Sequence, residues 1–464
     1  MSPCGLLSFP HMRITIGGED AVAFRLAEAL MADHEVTLIV PEGTRDTALE
    51  KLDVRTIHGP TSSGKTLKAA EVSKADLFVA CTPADERNLV ACAEAKRLGA
   101  LSVTCFLRRH EVQTNESEAQ SLATSLHIDQ VILPAARLAR EILRIVMVPG
   151  ALEAEAFING KVRLVKRSIE KDAHFTEGTL KEIGVPKDVV LVMVQRGKET
   201  FIPSGDTAFQ EGDLITAMGT MQGINRLLTR YLTNRKHGRD PRRALVVGGG
   251  AVGFAVTEGL EKANWDVKLI EANEKRALEI APQLKSLVLY GDGTNLELLR
   301  EEHIADYPVL IAVTSNDEKN LLVSLLAKQQ GVQRIITRAD KESNEMLFES
   351  VGIDVVRSAT GAAIRSVVKR TNRSENDLMA EFEHGLVKVL RIEVPPEQKP
   401  QQLHMIKASM FAIVGAILRN EKVIIPQGSD TIQGSDQLLV FCKADDAEST
   451  RHFFENLPPL EAHT

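Results

Sequence analysis

Three glycines at fixed spacing mark where this chain can do chemistry. They lie in Leu245-Val-Val-Gly248-Gly249-Gly250-Ala251-Val252-Gly253, a short apolar run feeding G-x-G-x-x-G, with a helical pattern at Phe254–Lys262 directly behind it. Gly248 permits a tight turn. Gly250 presents no Cβ to an approaching pyrophosphate. Gly253 lets the helix lie close to the strand. The helix start then offers unpaired N–H groups and a partial positive charge to phosphates. Eighteen residues beyond Gly253, the next strand pattern ends at Glu271. A carboxylate there can accept hydrogen bonds from both ribose hydroxyls of an adenosine and repels a 2′-phosphate, so NAD(H) or an adenine nucleotide is favoured over NADP(H). Arg276, one turn on, reads as a cation on a helix surface. Two later strand ends, Gly291-Asp292-Gly293 and Thr314-Ser315-Asn316-Asp317, would close such a crevice.

The first half of the chain carries a degraded copy, Ile14-Thr-Ile-Gly17-Gly18-Glu19-Asp20-Ala21-Val22-Ala23. Set with Gly17 opposite Gly248, it has one inserted residue, no middle glycine, and Ala23 in the third place. Glu19 and Asp20 bring negative charge to where phosphates would lie, and Val40 stands at the ribose-reading position. This crevice is expected to be a structural copy, or to bind nucleotide weakly or differently. Gly59-Pro-Thr-Ser-Ser-Gly64-Lys65-Thr66 satisfies G-x-x-x-x-G-K-[ST], but it follows a third strand rather than a first. No strand-end aspartate for magnesium stands nearby, so it reads as an ordinary turn.

The elements that position these residues come in two copies. Thr82-Pro-Ala-Asp85-Glu-Arg-Asn88 recurs as Thr314-Ser-Asn-Asp317-Glu-Lys-Asn320, 232 residues later. Ile202-Pro-x-Gly205-Asp-Thr207 with Gly212-Asp213 recurs as Ile425-Pro-x-Gly428-x-Asp-Thr431 with Gly434-x-Asp436. Each half opens with strands and helices in alternation, over 12–145 and 243–371. The second copy has strand patterns at Ala244–Val247, Asp266–Ile270, Ser286–Tyr290, Pro308–Val313, Arg334–Thr337 and Asp354–Arg357. Alternation of this kind predicts an α/β fold with a doubly wound parallel sheet. Each half closes with short strands and polar turns, over 150–232 and 373–456, which predicts a small α+β domain. The recurring Ile-Pro and Gly-Asp segments read as turns between those strands. A basic cluster, Arg235–Arg243, reads as the solvated linker between halves.

Composition narrows the function. Lys and Arg total 56 against 63 Asp and Glu, a net charge of −7, where nucleic-acid binders carry a basic surplus. The longest apolar runs are far short of the roughly 20 residues of a membrane helix. The lead Met1–His11 has no basic start and no long apolar stretch, so it does not read as a signal peptide. Five cysteines without C-x-x-C spacing read as reduced thiols, and no histidine pattern suggests a metal site. A dehydrogenase would need a proton donor and a substrate anchor. His303, on a helical pattern, and Arg338, at the fifth strand end with Arg108 as its counterpart, are the few candidates. No His–Asp or Lys–Asp pair stands at catalytic spacing.

The glycine strand, Glu271, Gly291-Asp292 and Thr314-x-x-Asp317-Glu318-x-Asn320 resemble the RCK-N, or potassium-transport nucleotide-binding, domain. The Ile-Pro and Gly-Asp modules resemble its RCK-C companion. The order N–C–N–C is similar to the tandem RCK regulators of Trk potassium uptake systems. The resemblance implies a Rossmann-like fold and a regulatory subunit, not an enzyme, lying at the inner face of the cell membrane in the cytoplasm. It implies a homo-oligomer, expected as a tetramer, that gates an integral-membrane potassium-translocating subunit of the TrkH or TrkG kind. It implies NAD(H), or ATP or ADP, as ligand, with contacts at Gly248, Gly249, Gly250, Ala251, Val252, Glu271, Thr314, Ser315 and Arg338. In the first half the matching positions are Gly17, Gly18, Val40, Thr82, Pro83 and Arg108, and their departures from the motif argue against a cofactor site there. The competing expectations are a soluble NAD-dependent oxidoreductase and an RCK regulator of cation efflux or exchange.

Overall fold

The computed structural model describes residues 11–44, 48–108, 116–197, 199–233, 242–371, 378–382, 387–406 and 412–457. Cys4 and residues 235–241 of the basic cluster lie outside them. The first lobe has strands β1 (Arg13–Gly17), β2 (Glu35–Val40), β3 (Arg55–His58), β4 (Leu77–Ala80), β5 (Ser102–Phe106) and β6 (Gln130–Ile132). Its helices are α1 (Ala21–Met31), α2 (Gly64–Ala69), α3 (Asp85–Arg97), α4 (Glu116–Ser125) and α5 (Pro134–Val146). The first small module has β7 (Glu153–Phe157), β8 (Val162–Ser168), β9 (Val189–Arg196), β10 (Glu199–Phe201) and β11 (Leu214–Gly219), with α6 (Leu180–Ile183) and α7 (Met221–Arg230).

The second lobe repeats the first with β12 (Arg243–Val247), β13 (Asp266–Glu271), β14 (Leu287–Tyr290), β15 (Val309–Ala312), β16 (Arg334–Arg338) and β17 (Val355–Arg357). Its helices are α8 (Ala251–Lys262), α9 (Glu274–Ile280), α10 (Leu296–Glu301), α11 (Asp317–Gln329), α12 (Glu342–Ser350) and α13 (Ala359–Thr371). The second module has β18 (Leu378–Phe382), β19 (Val387–Glu393), β20 (Gln401–Gln402), β21 (Ala412–Arg419), β22 (Lys422–Ile424), β23 (Thr431–Ile432) and β24 (Gln437–Lys443), closed by α14 (Ala447–Glu455).

Both lobes are six-stranded parallel sheets, ordered β3-β2-β1-β4-β5-β6 and β14-β13-β12-β15-β16-β17. This is the doubly wound order, and its reversal opens a crevice between β1 and β4 and between β12 and β15. The inner strands β4 and β15 are buried at every residue, as continuous Val/Ile/Leu/Ala runs require when helices cover both faces. The outer strands β3 and β14 have no fully buried residue.

The duplicated T-x-x-D-x-x-N segments prove to be clamps. Buried Asn320 accepts from the Thr314 N–H (2.9 Å) and hydroxyl (2.7 Å), and donates to the carbonyls of Thr314 and Arg338 at 3.0 Å each. Asp317 accepts from the backbone N–H groups of Asp340 and Lys341 and from the Asn344 amide. Asn88 and Asp85 do the same for Thr82, Phe106 and Arg108 in the first lobe. One short segment thus fixes two neighbouring strand ends beside each crevice.

The chain divides into two compact units: residues 1–143 with 242–371, and 144–241 with 372–464. In the first, α13 of the second lobe crosses α1, and its Ala363, Ile364 and Val367 join the first lobe's core. Arg365 pairs with Glu141 of α5, and Arg370 donates to Gln130 Oε1 at 2.7 Å. Leu143 of α5 packs against Gly259 of α8. In the second unit, two five-stranded antiparallel sheets share one core that joins Leu164, Met193 and Met218 to Val389, Leu439 and Phe441. The Gly-Asp turns are held from within: Asp213 takes both Arg196 and the Gln210 N–H, and Asp436 takes both Arg419 and the Gln433 N–H.

Candidate functional site

The glycine loop joins β12 to α8 at the second lobe's switch point. Gly248 has φ +106°, a backbone conformation that a side chain disfavours, so the turn needs glycine. A Cβ on Gly253 would stand 1.8 Å from the Gly248 carbonyl oxygen, so the helix approaches the strand as closely as the backbone allows. Gly250 is the N-cap of α8, and no side chain caps that helix start. A Cβ on Gly250 would meet nothing within 4 Å. Its N–H donors therefore open onto a cavity of about 1100 Å³.

Gly248, Gly250, Ala251, Val252, Glu271, Thr314, Ser315 and Arg338 line this cavity together. Gly249 does not line it. Its N–H donates to Glu271 Oε2 at 2.5 Å, and its carbonyl accepts from Arg276 Nε at 2.9 Å. Glu271 Oε1 also accepts from the Asn273 N–H at 2.7 Å. The strand-end carboxylate thus clasps the loop and the start of α9 with two of its roughly four acceptor sites and keeps the others. Arg276 departs from its sequence reading. Its side chain is only 16% exposed, holds the loop carbonyl and lies over the Phe254 ring. The sequence shows a cation one turn into a helix, but not that the turn packs onto the glycine loop.

The wall facing the loop is polar. Arg338 pairs with Asp340. Asp292 accepts from the Thr294 N–H and from Lys319 Nζ at 3.0 Å. The Thr294 backbone bond first, then Lys319 and the Thr294 hydroxyl, hold the Asp292 carboxyl down to about 2. Lys275, Arg276, Lys319 and Asp340 line the cavity but were not singled out as ligand contacts from sequence. Their signal was present, since Lys319 and Asp340 flank the motif residues that were. Among the described residues no histidine lines it. His303 is no helix residue but a left-handed turn residue, φ 55°, between α10 and the next short turn.

The first lobe also reaches this cavity, through Val22, Arg108, Pro134 and Ala135. Its own loop differs from the sequence alignment. The Gly18 N–H bonds the Ile39 carbonyl just as the Gly248 N–H bonds that of Ile270. Gly18 is therefore the partner of Gly248, no residue is inserted, and Glu19 and Asp20 stand where Gly249 and Gly250 stand. Thr82 is buried, and its hydroxyl and N–H are both given to Asn88. The loop 59–63 joins the outer strand β3 to the short helix α2 and packs Thr61 against Gly17. Among the described residues no group of acids, histidines and cysteines could hold a metal, and no helix is long and apolar enough to cross a membrane.

Comparison with known proteins agrees with the duplication. The TrkA-N domain family matches residues 14–134 and 244–359, and the TrkA-C domain family matches 164–231 and 403–455. A Trk system potassium uptake protein TrkA homolog of Archaeoglobus fulgidus is 31% identical over 446 residues, covering 96% of this chain and all of that one. The Trk system potassium uptake protein TrkA of Haemophilus influenzae is 28% identical over 441 residues, covering 93% and 95%. Among solved structures, the GsuK RCK domain superposes with a TM-score of 0.60 at 18% identity, covering 98% of each chain. The GsuK channel bound to NAD gives the same score at 17% identity, covering 98% of this chain and 80% of that one. With two N-type lobes and two C-type modules matched along nearly its whole length, this chain belongs to the TrkA family of Trk-system potassium uptake proteins.

Proposed function

We propose that this protein is the nucleotide-binding regulatory subunit of a potassium uptake system. It binds NAD(H), with ATP or ADP as the alternative ligand, at the second-lobe crevice, and gates a separate integral-membrane potassium-translocating subunit of the TrkH or TrkG kind. One observation carries the ligand reading. The uncapped start of α8, the Gly250 gap and the two remaining acceptor sites of Glu271 face one cavity. That combination suits a pyrophosphate beside an adenosine ribose. The names of the relatives support the transport role, and the NAD named with the GsuK channel supports the ligand class.

In this reading Gly250, Ala251 and Val252 receive phosphates through backbone N–H groups, while Gly248, whose own N–H bonds the Ile270 carbonyl, borders the ligand and makes the turn. Gly249 acts indirectly, by tying the loop to Glu271 and Arg276. Thr314, Ser315 and Arg338 border the far end of the ligand. Because the cavity is also walled by α13 and by Val22, Arg108, Pro134 and Ala135, its occupancy bears on how the two lobes pack. A ligand shifts that packing only by its difference in affinity for two arrangements. The chain would act without turnover, as a homo-oligomer, proposed as a tetramer, on the cytoplasmic face of the membrane. The competing reading, an oxidoreductase, needs measurable hydride transfer to a hydroxy or amino acid.

The test is potassium flux through vesicles carrying the membrane subunit, with this chain added and NADH titrated in. NADH-dependent flux, lost together with NADH binding in Glu271→Ala, is expected. Tight NADH binding with unchanged flux would refute the gating role. No binding of any adenine nucleotide would refute the ligand.

A further inference from the structure

The two crevices of this chain differ in what occupies the start of their helices. In the second lobe, α8 begins at Gly250 with no side-chain cap. In the first, α1 begins at Asp20, whose carboxylate accepts from the N–H groups of Val22 at 3.1 Å and Ala23 at 3.4 Å. Those are the donors that a phosphate would meet. The same carboxylate takes Arg108 Nη1 at 2.9 Å. Beside it, Glu19 takes Arg87 Nη1 through both oxygens, at 3.0 and 3.1 Å.

The two arginines are the counterparts of cavity residues. Arg108 stands where Asp340 stands, since the clamp aspartates Asp85 and Asp317 hold their N–H groups alike. Phe106 and not Arg108 is therefore the partner of Arg338, a correction to the sequence pairing. Arg87 stands in α3 as Lys319 stands in α11. In the second lobe Lys319 pairs with Asp292 and Asp340 with Arg338, all four lining the cavity away from the glycine loop. In the first lobe both arginines are turned onto the loop itself. Val40, fully buried, stands where Glu271 reads a ribose.

We propose that Glu19 and Asp20 serve as built-in anions that occupy the first lobe's phosphate position, and that they are the residues limiting the chain to one nucleotide. This rests on the reading of the second lobe as the nucleotide site. Two carboxylates satisfy the helix start and both cations from within, so an incoming phosphate finds its donors taken and meets two negative charges. The first lobe is then a fixed partner against which the ligand-bound second lobe works. Freed of both carboxylates, the first lobe would hold a bare phosphate or pyrophosphate. It would not hold a nucleoside, because no carboxylate replaces Val40.

Four forms of the full chain test this: wild type, Gly250→Asp, Glu19→Ala/Asp20→Gly, and all three changes together. Gly250→Asp copies the first lobe's arrangement into the second. Calorimetric titration of the wild type with NADH is expected to count one site per chain, and Gly250→Asp should weaken it at least tenfold. Thermal unfolding with inorganic pyrophosphate then reads the first lobe. The triple variant should gain about 3 °C at saturating pyrophosphate, where Gly250→Asp alone gains nothing. Combined with Gly250→Asp, Glu19→Gln/Asp20→Asn keeps the helix cap and serves if the smaller residues fail to fold. It should show the same gain at higher pyrophosphate. Two equal NADH sites in the wild type, or no pyrophosphate response in either opened form, would overturn the proposal. A wild type that binds no NADH while the triple variant still responds to pyrophosphate would refute the nucleotide reading and leave this one standing.

Discussion

Replacing Glu271 by alanine gives the sharpest test of how the second-lobe cavity selects its ligand. The carboxylate spends one acceptor site on each of two backbone N–H groups, Gly249 at 2.5 Å and Asn273 at 2.7 Å. About two sites are left, matching the two hydroxyls of one ribose. Hydrogen bonds to a charged partner contribute roughly 1.5–3 kcal/mol each, and the two hydroxyls share one carboxylate, so about 3 kcal/mol in total is a fair expectation. That is on the order of a 100-fold rise in the NADH dissociation constant. NADPH should respond in the opposite sense or hardly at all, because the same substitution removes a charge facing its 2′-phosphate. The assay is calorimetric titration of wild type and Glu271→Ala with both cofactors at one ionic strength. The telling quantity is the NADH-to-NADPH ratio, since loosening of the loop would weaken both ligands alike. An unchanged ratio in a variant that has lost affinity would show that Glu271 only holds the loop, and the ribose reading would fall.

Gly253→Ala should abolish nucleotide binding and lower the melting temperature by several degrees, because its Cβ would stand 1.8 Å from the Gly248 oxygen; calorimetry with a thermal melt checks both. Asn320→Ala breaks four hydrogen bonds at a buried position and should cost about 3 kcal/mol in urea denaturation. Arg276→Ala, which frees the Gly249 carbonyl, should weaken NADH roughly tenfold with little loss of NADH-over-NADPH preference, read in the same titration. Asp292 is held at about 2 in place of its ordinary 3.8. A carboxyl lowered on folding stabilises fully above its unfolded value and loses that stabilisation as pH falls through the folded value. The side chain is 47% exposed, so screening leaves about 1 kcal/mol. Wild type should therefore exceed Asp292→Asn by that amount at pH 6, with the gap closing between pH 4 and pH 2 in denaturation curves.

The parts of the fold legible from sequence were those under the strongest local constraint. Strands such as Val309–Ala312, buried on both faces, must read as unbroken apolar runs, and they fall within one or two residues of their sequence limits. The glycine loop is legible because φ, clearance and helix approach each exclude other residues. The two-residue strands Gln401–Gln402 and Thr431–Ile432, and the short edge strand Glu199–Phe201, leave no such pattern, since few residues of each are buried. Arg276 was misplaced for a related reason: which face of a short helix meets the loop depends on how β13 and β12 pair, and that register is long-range. The loop alignment failed at Gly17 because two adjacent glycines offer two registers, and only the Gly18–Ile39 hydrogen bond chooses between them.

The crossing of α13 onto the first lobe's core has a genealogical consequence. An exchange of terminal helices is what two identical chains make across a twofold axis, each completing the other. Joined end to end, such a pair becomes one polypeptide whose former copies inherit separate fates. A change in one crevice no longer appears twice, so mutation can retire one site while selection keeps its neighbour. The tether also makes mispairing with an unlike copy unnecessary, because the correct mate is always on the same strand of protein. Expressed as two separate pieces, the halves should find each other and copurify, as descendants of an ancestral dimer.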